Sequence, residues 1–363
     1  MKNIIAAIAF LLVANLVMAQ PAESWYKIFT GKAGSLAATI HLHKAGKNYS
    51  GYIWFAQNQW PMQIYTGEPV AKTDSFMISA GNGPVSIVLT GIMSDNSFTG
   101  NSQLMKEGST SKSAAFQLQV STEKIFTPFN YVFAEGNAKL PAQFKNESQA
   151  DYFSAAIWPS GKNLLDEAVK KQVREMLTIK VPAIETGKWM TDEKNKMLAN
   201  WKKENTKMTP AETAELGLSL SFQQENRVMV MYENEQLINL AHVSYEFSGG
   251  AHGNYSTTLA TIKKETGKKL QLTDVLTATG IKLLPTLLDQ VARLQFGIKN
   301  KLPLDQNGFL VNKIAPSQNM YVTSSGIGFL YSPYEIKSFA DGEVNLLIPF
   351  TALKGYLLPG FGQ

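Results

Sequence analysis

The chain has 363 residues, 44% of them apolar and 17% charged, with 34 basic against 29 acidic side chains and a formal net charge of +5. It contains no cysteine, which excludes disulfides, thiolate metal sites and cysteine nucleophiles together. The basic excess comes without a run of lysines or arginines, so nucleic-acid binding has no support, and the length suggests two or three domains.

Residues 1–19 place Lys2 ahead of an apolar run from Ile4 to Val17 and end in small residues before Gln20, the pattern of a secretory signal. The run is shorter than the ~20 residues a spanning helix needs, and an uncleaved anchor is the competing reading. The mature protein is expected to begin at Gln20 and to be secreted, periplasmic or extracellular. It is expected to have no membrane span once the signal is removed.

Residues 20–122 read as an all-β domain, a barrel or sandwich. Leu36, Ala38, Ile40 and Leu42 alternate with Thr39, His41 and His43, which predicts a half-buried strand whose histidines face solvent. Further strands are predicted near residues 49–55, 62–66, 75–79, 85–90, 97–104 and 114–120. Thr-Gly pairs at 66, 90 and 99 read as turn chemistry. His41 and His43 share a face at i, i+2, a chelating geometry that lacks a third ligand, so no metal site is assigned.

Residues 123–145, with Pro128 and Pro141, read as the join to an α+β module, an antiparallel sheet with helices on one face. Its leading part spans 123–235. Leu164, Leu165, Ala168, Val169, Val173, Met176 and Leu177 recur at helical spacing behind an Asn163 cap, and a second helix runs from Thr191 through Trp201. Strands are predicted over 216–225 and 227–232. The part from 236 to 363 is built on a hairpin whose corner, Gly249, Gly250, Gly253 and Asn254, can take positive φ. A helix near 281–296 and strands near 328–331 and 343–349 complete it. Asp274 reads as a helix cap.

The run Tyr245 to Asn254, the Glu265-Thr266-Gly267-Lys268 turn with Leu270, Leu272 and Asp274 after it, and Phe329-x-Tyr331-x-Pro333-Tyr334-Glu335 fall in one order. In that order they resemble the extracellular domain of the RsiV anti-sigma factor family, a domain of unknown function shared with the non-catalytic half of some polysaccharide deacetylases. The resemblance covers roughly 122–356. It implies an α+β module whose best understood role is binding a protein partner; the partner expected for this chain is a lysozyme-like protein or a cell-wall glycan. The sequence is read as having no cytoplasmic segment, no retained membrane helix and no attached deacetylase domain, so anti-sigma activity is not expected to carry over.

No nucleophile elbow, His-Glu-x-x-His, phosphate loop or dinucleotide fingerprint is present, so no catalytic residue and no cofactor are assigned. The expected function is a secreted binding or envelope-associated protein rather than an enzyme. The alternative is a cell-wall or glycan hydrolase without a recognised motif. The ligand-binding candidates are His252, Glu246 and Tyr245. His252 sits among the glycines, where its imidazole could face a ligand or hold the hairpin corner by hydrogen bonds.

Overall fold

The computed structural model describes residues 24–55, 61–83, 85–106, 109–110, 113–180, 185–299 and 302–362. The expected signal segment lies outside them. The first sheet comprises β1 (Ser24–Ala33), β2 (Leu36–Ala45), β3 (Asn48–Phe55), β4 (Met62–Pro69), β5 (Phe76–Asn82), β6 (Val85–Met93), β7 (Ser97–Lys106), β8 (Ser109–Thr110) and β9 (Ala114–Val120). Its order is β6-β5-β4-β3-β2-β1-β9-β7-β8, and β6 also pairs with β7, so eight strands close a barrel and leave no open edge between them. Alternate residues, among them Ile40, Leu42, Ile53, Ile78, Leu89, Phe98 and Phe116, fill its inside. Gly91 and Gly100 stand opposite each other in mid-strand. A Cβ on Gly91 would lie 1.9 Å from the Thr99 carbonyl oxygen, and one on Gly100 2.2 Å from that of Thr90. These Thr-Gly pairs therefore mark a close strand approach and not the turns read from the sequence.

The second sheet runs β10 (Asn130–Lys139), β11 (Gln149–Trp158), β12 (Phe222–Glu233), β13 (Leu237–Phe247), β14 (Asn254–Lys263) and β15 (Lys268–Lys269), in that spatial order. Two expectations are corrected here. The presumed join contains a full strand, β10, and the sheet is mixed because β11 and β12 are parallel. Between those two strands the chain crosses over through α1 (Leu164–Met176), α2 (Thr186–Asn205) and α3 (Pro210–Leu216), the long connection that a parallel pair requires. Asn163 caps α1 in a reciprocal box with Asp166. Residues 216–221, expected as strand, instead finish α3 and a 3-10 turn. The Thr209 cap, Pro210 at the first helical position and Glu212 start that helix just upstream.

Helix α1 lays Val169, Val173 and Met176 over Val228, Val230, Ile238, Leu240, Ala260 and Ile262 on one face of this sheet. A third sheet, β16 (Met320–Val322), β17 (Gly326–Tyr331) and β18 (Val344–Pro349), packs with α4 (Leu272–Val275) and α5 (Ala278–Phe296) into its own core. The result is an α+β fold behind a barrel. No helix among the described residues is long and apolar enough to cross a membrane.

The other face of the second sheet positions the site. Met229, Met231, Ala241 and Leu259 pack against Tyr52 and Trp54 from the outer wall of the barrel and against Tyr321 and Leu330. Strand β12 loses its β11 partner after Val228, and its pairing with β13 slips between Val230 and Tyr232. Carbonyl oxygens left without a ladder partner need donors from elsewhere. The His43 Nε2–H donates to the Val230 oxygen at 3.3 Å, and the Trp54 indole donates to that of Met231.

His41 and His43 are thus 1% and 0% exposed, which corrects the solvent-facing reading. The alternation was right for the barrel, but a second layer covers its polar face. The Tyr26 hydroxyl shares a hydrogen bond with His41 Nδ1 at 2.8 Å, and the Tyr26 ring stacks on His43 with centroids 4.4 Å apart. Burial lowers both imidazoles to about 3, so they are neutral near pH 7. A buried carboxylate, Glu233, fastens the connecting chain. It accepts from the Thr127 amide at 3.0 Å and from Lys264 Nζ at 2.8 Å, while Lys264 also donates to the Ile125 carbonyl.

Candidate ligand-binding site

Where the barrel wall meets the second and third sheets, a cavity of about 550 Å³ opens. The barrel contributes Tyr52 from β3 and Gln63 and Tyr65 from β4. From the second sheet come Gln223, Glu225 and Arg227 on β12, Tyr245 on β13, and Tyr255 and Thr257 on β14. Asp341, Gly342 and Glu343 ahead of β18 and Asn345 within it add the third sheet's side, and Met231, Val243, Leu259 and Leu330 are among the apolar residues that also line it.

Glu343 is set by backbone chemistry. Strand β15 covers the outer edge of β14 only at Ile262 and Lys263, so the N–H groups further along that edge need other acceptors. Glu343 accepts from the Thr257 N–H at 2.5 Å and from its hydroxyl at 2.8 Å, while Asn319 accepts from the Leu259 N–H at 2.7 Å. Gly342, at φ +73°, ends the 3-10 turn Phe339–Asp341 and turns the chain into position. Burial pushes the Glu343 carboxyl up to about 7, against the downward pull of the two Thr257 hydrogen bonds. Burial, with Glu343 as a second cause, also raises the phenols of Tyr52 and Tyr255.

The remaining charges are neutralised locally. Arg227 is ion-paired with Glu225 and lies over the Phe153 ring, its guanidinium carbon 4.7 Å from the centroid. Asp341 pairs with Lys337 at 3.0 Å. The Tyr52 hydroxyl and Arg227 Nε are buried without hydrogen-bond partners in the protein. Buried polar atoms left in that state on a cavity wall are available to a bound molecule or to water.

Of the residues singled out in the sequence, Tyr245 lies in the lining, directly opposite Tyr255 across the hairpin. Glu246 is exposed opposite Asn254, outside the lining. His252 is exposed and stacks on Phe339 at 3.9 Å between centroids, with Nδ1 donating to the Gly253 carbonyl at 3.0 Å. Phe339 also meets the Tyr255 ring edge-on, so His252 ties the hairpin tip to the segment that carries Glu343. Asp274 stands inside α4 and accepts from the N–H of the capping residue Gln271 at 3.0 Å, so it is the partner that reaches back to the cap and not the cap read from the sequence. His242 donates to Asn226 Oδ1 at 2.9 Å and faces Thr258, well along the strand from the hairpin tip. Among the described residues no three or more His, Asp or Glu side chains are grouped to hold a metal ion. Sequence reasoning missed Tyr52, Tyr65, Tyr255, Arg227 and Glu343.

Gly249 and Gly250 take φ of +87° and +96°. A Cβ on Gly249 would also come within 2.5 Å of the Ser219 carbonyl oxygen, whereas one on Gly250 would meet nothing within 4 Å. Gly249→Ala is therefore expected to cost about 2–3 kcal/mol and Gly250→Ala about 1 kcal/mol. Denaturant unfolding of the two variants checks the order. Gly253 has a different task, because a Cβ there would sit 2.5 Å from the Tyr245 ring.

Comparison with known proteins places these features in two matched stretches. Residues 253–351 match the family profile described as a protein of unknown function, DUF3298, and residues 146–255 match that described as deacetylase PdaC. No curated protein matches the chain significantly. A crystal structure of a DUF3298 family member from Bacteroides fragilis is similar in fold, with a TM-score of 0.55 and 21% identity over 63% of this chain and 93% of that one. A DUF3298 family protein from Pseudomonas aeruginosa aligns with a TM-score of 0.44 and 16% identity, over 64% of this chain and 96% of that one. The second half of the chain therefore carries a domain of unknown function that is shared with deacetylase-like proteins.

Proposed function

We propose that the protein is exported to the cell envelope and binds a cell-wall glycan in the cleft between barrel and sheets, with its second half acting as an RsiV-like recognition module. The observation that carries this reading is the lining. Four tyrosines, Tyr52, Tyr65, Tyr245 and Tyr255, stand among Gln63, Gln223 and Asn345. Flat rings with polar tips cover the apolar faces of sugar rings, and planar amides and phenols serve their hydroxyls. The RsiV resemblance adds a lysozyme-like protein as the other partner to measure.

Co-sedimentation with insoluble peptidoglycan, beside capture on immobilised lysozyme, tests the reading. The intact chain is expected to sediment with the glycan, and Tyr245→Ala to reduce retention several-fold while the fold persists. Retention that Tyr245→Ala leaves unchanged, or no retention at all, overturns it. Capture by lysozyme alone moves the function to a protein partner.

One observation favours hydrolysis as a second reading. A carboxyl raised to about 7 inside a cleft has the protonation of a general acid. Turnover of chitooligosaccharides that Glu343→Gln abolishes would establish it.

A further inference from the structure

The charge pattern of the cleft narrows the ligand beyond a glycan in general, and the argument rests on the cleft being the binding site. Among the described residues its lining contains no lysine, and its single arginine, Arg227, is committed to Glu225. Asp341 is balanced by Lys337 from outside the lining. Among the described residues that leaves Glu343 as the one acid of the cavity wall without a cationic partner. Both its oxygens are held by Thr257, each through a single hydrogen bond, so each retains acceptor capacity. Around the same space stand the rings of Tyr52, Tyr65, Tyr245 and Tyr255. Aromatic faces carry negative potential, and a carboxylate among several of them is the arrangement that attracts a desolvated cation. An anionic ligand would meet repulsion from Glu343 and no free positive charge in return.

We propose that the cleft recognises a primary ammonium group, as carried by the amino sugar of a glycan with free amines, and that Glu343 is its counter-ion within the tyrosine cage. The missing cation would then arrive with the ligand. Several titratable groups bear on Glu343. They are Tyr52 on β3, Tyr65 on β4, the paired Glu225 and Arg227 on β12, Tyr255 on β14, and Glu335 and Asp341 ahead of β18. None of them supplies an unpaired positive charge. Because burial holds the Glu343 carboxyl up to about 7, an ammonium that selects the ionised form must displace a proton on binding near neutral pH.

The test is calorimetric titration of the full chain with three probes: a β-1,4-linked glucosamine tetramer, its fully N-acetylated counterpart, and the linear diamine putrescine. At about pH 6, where the amines arrive as ammonium and the Glu343 carboxyl is largely protonated, the free-amine tetramer is expected to bind with net proton release, read from two buffers of different ionisation enthalpy. It should bind about tenfold or more tightly than the N-acetylated tetramer, and Glu343→Gln should remove most of that difference. Tyr65→Ala, at a ring 60% exposed on the rim, should weaken binding several-fold and keeps the test open if Glu343→Gln fails to fold. Equal affinity for the two tetramers, unaffected by Glu343→Gln, overturns the ammonium reading and leaves the glycan cleft standing. Putrescine binding as tightly as the free-amine tetramer, with the same dependence on Glu343, supports the ammonium reading and removes the glycan. Failure of all three probes to bind overturns both.

Discussion

Lowering the pH from 7 to 5 is expected to destabilise the protein by roughly 4 kcal/mol on balance, a loss at its buried histidines partly offset by a buried carboxyl. His41 and His43 are lowered to about 3 and His242 to about 4, chiefly by burial. The sign follows from which state takes the proton. Above the ordinary value near 6.5 both folded and unfolded histidines are neutral, and nothing is lost. Below it the unfolded chain binds protons that the folded chain refuses, so stability falls until the folded values near 3 to 4 are reached. At pH 5 each histidine costs about 2 kcal/mol, or roughly 6 for the three. Glu343 acts in the opposite sense. Raised to about 7, its carboxyl disfavours the folded state as pH climbs from the usual carboxylate range toward 7, so acidification returns about 2 kcal/mol. Urea unfolding at pH 7, 6 and 5 checks the balance. A protein equally stable at all three would show that the imidazoles are not buried at the seam.

Lys264→Ala is the second large effect, with an expected loss of about 3–5 kcal/mol. The Glu233 side chain is fully buried and that of Lys264 is 15% exposed, so removing the ammonium strands a carboxylate that burial already disfavours. The same substitution frees the Ile125 and Asn234 carbonyls that Lys264 serves. Replacing both partners, Glu233→Leu with Lys264→Met, should recover much of the loss, because the unpaired charge is then absent. Thermal unfolding of the single and the double variant measures it. A single variant as stable as the wild type would mean that the connecting chain is not held in this way.

How much of this was legible in the sequence depends on how many layers a residue faces. The barrel strands were readable because one side of each meets a filled interior, as the alternation at Leu36 to Leu42 does. The histidines between them were misread because period-two patterning reports the first layer and is silent about a second sheet laid over it. Strand β11 escaped for the related reason that it is buried on both sides from Ala150 to Ile157, apart from Asp151, and such a strand has no alternation to detect. The helices behind Asn163 and the glycine hairpin were legible, since caps and positive-φ corners are local chemistry. The cleft was not. It joins Tyr52 and Tyr65 from the barrel to Tyr255 and Glu343 from the far end of the chain, and no spacing links them. Tyr245 was found only because it stands beside the hairpin glycines.

The central claim is that one ligand touches both walls of this cleft. Hydrogen exchange of the full chain, with and without a saturating glucosamine tetramer, tests it most directly. The account predicts slowed exchange together on the barrel wall around Tyr52 to Tyr65 and on the facing segments around Tyr255 to Thr257 and Asp341 to Asn345. Protection confined to one wall, or appearing only elsewhere in the chain, would contradict it.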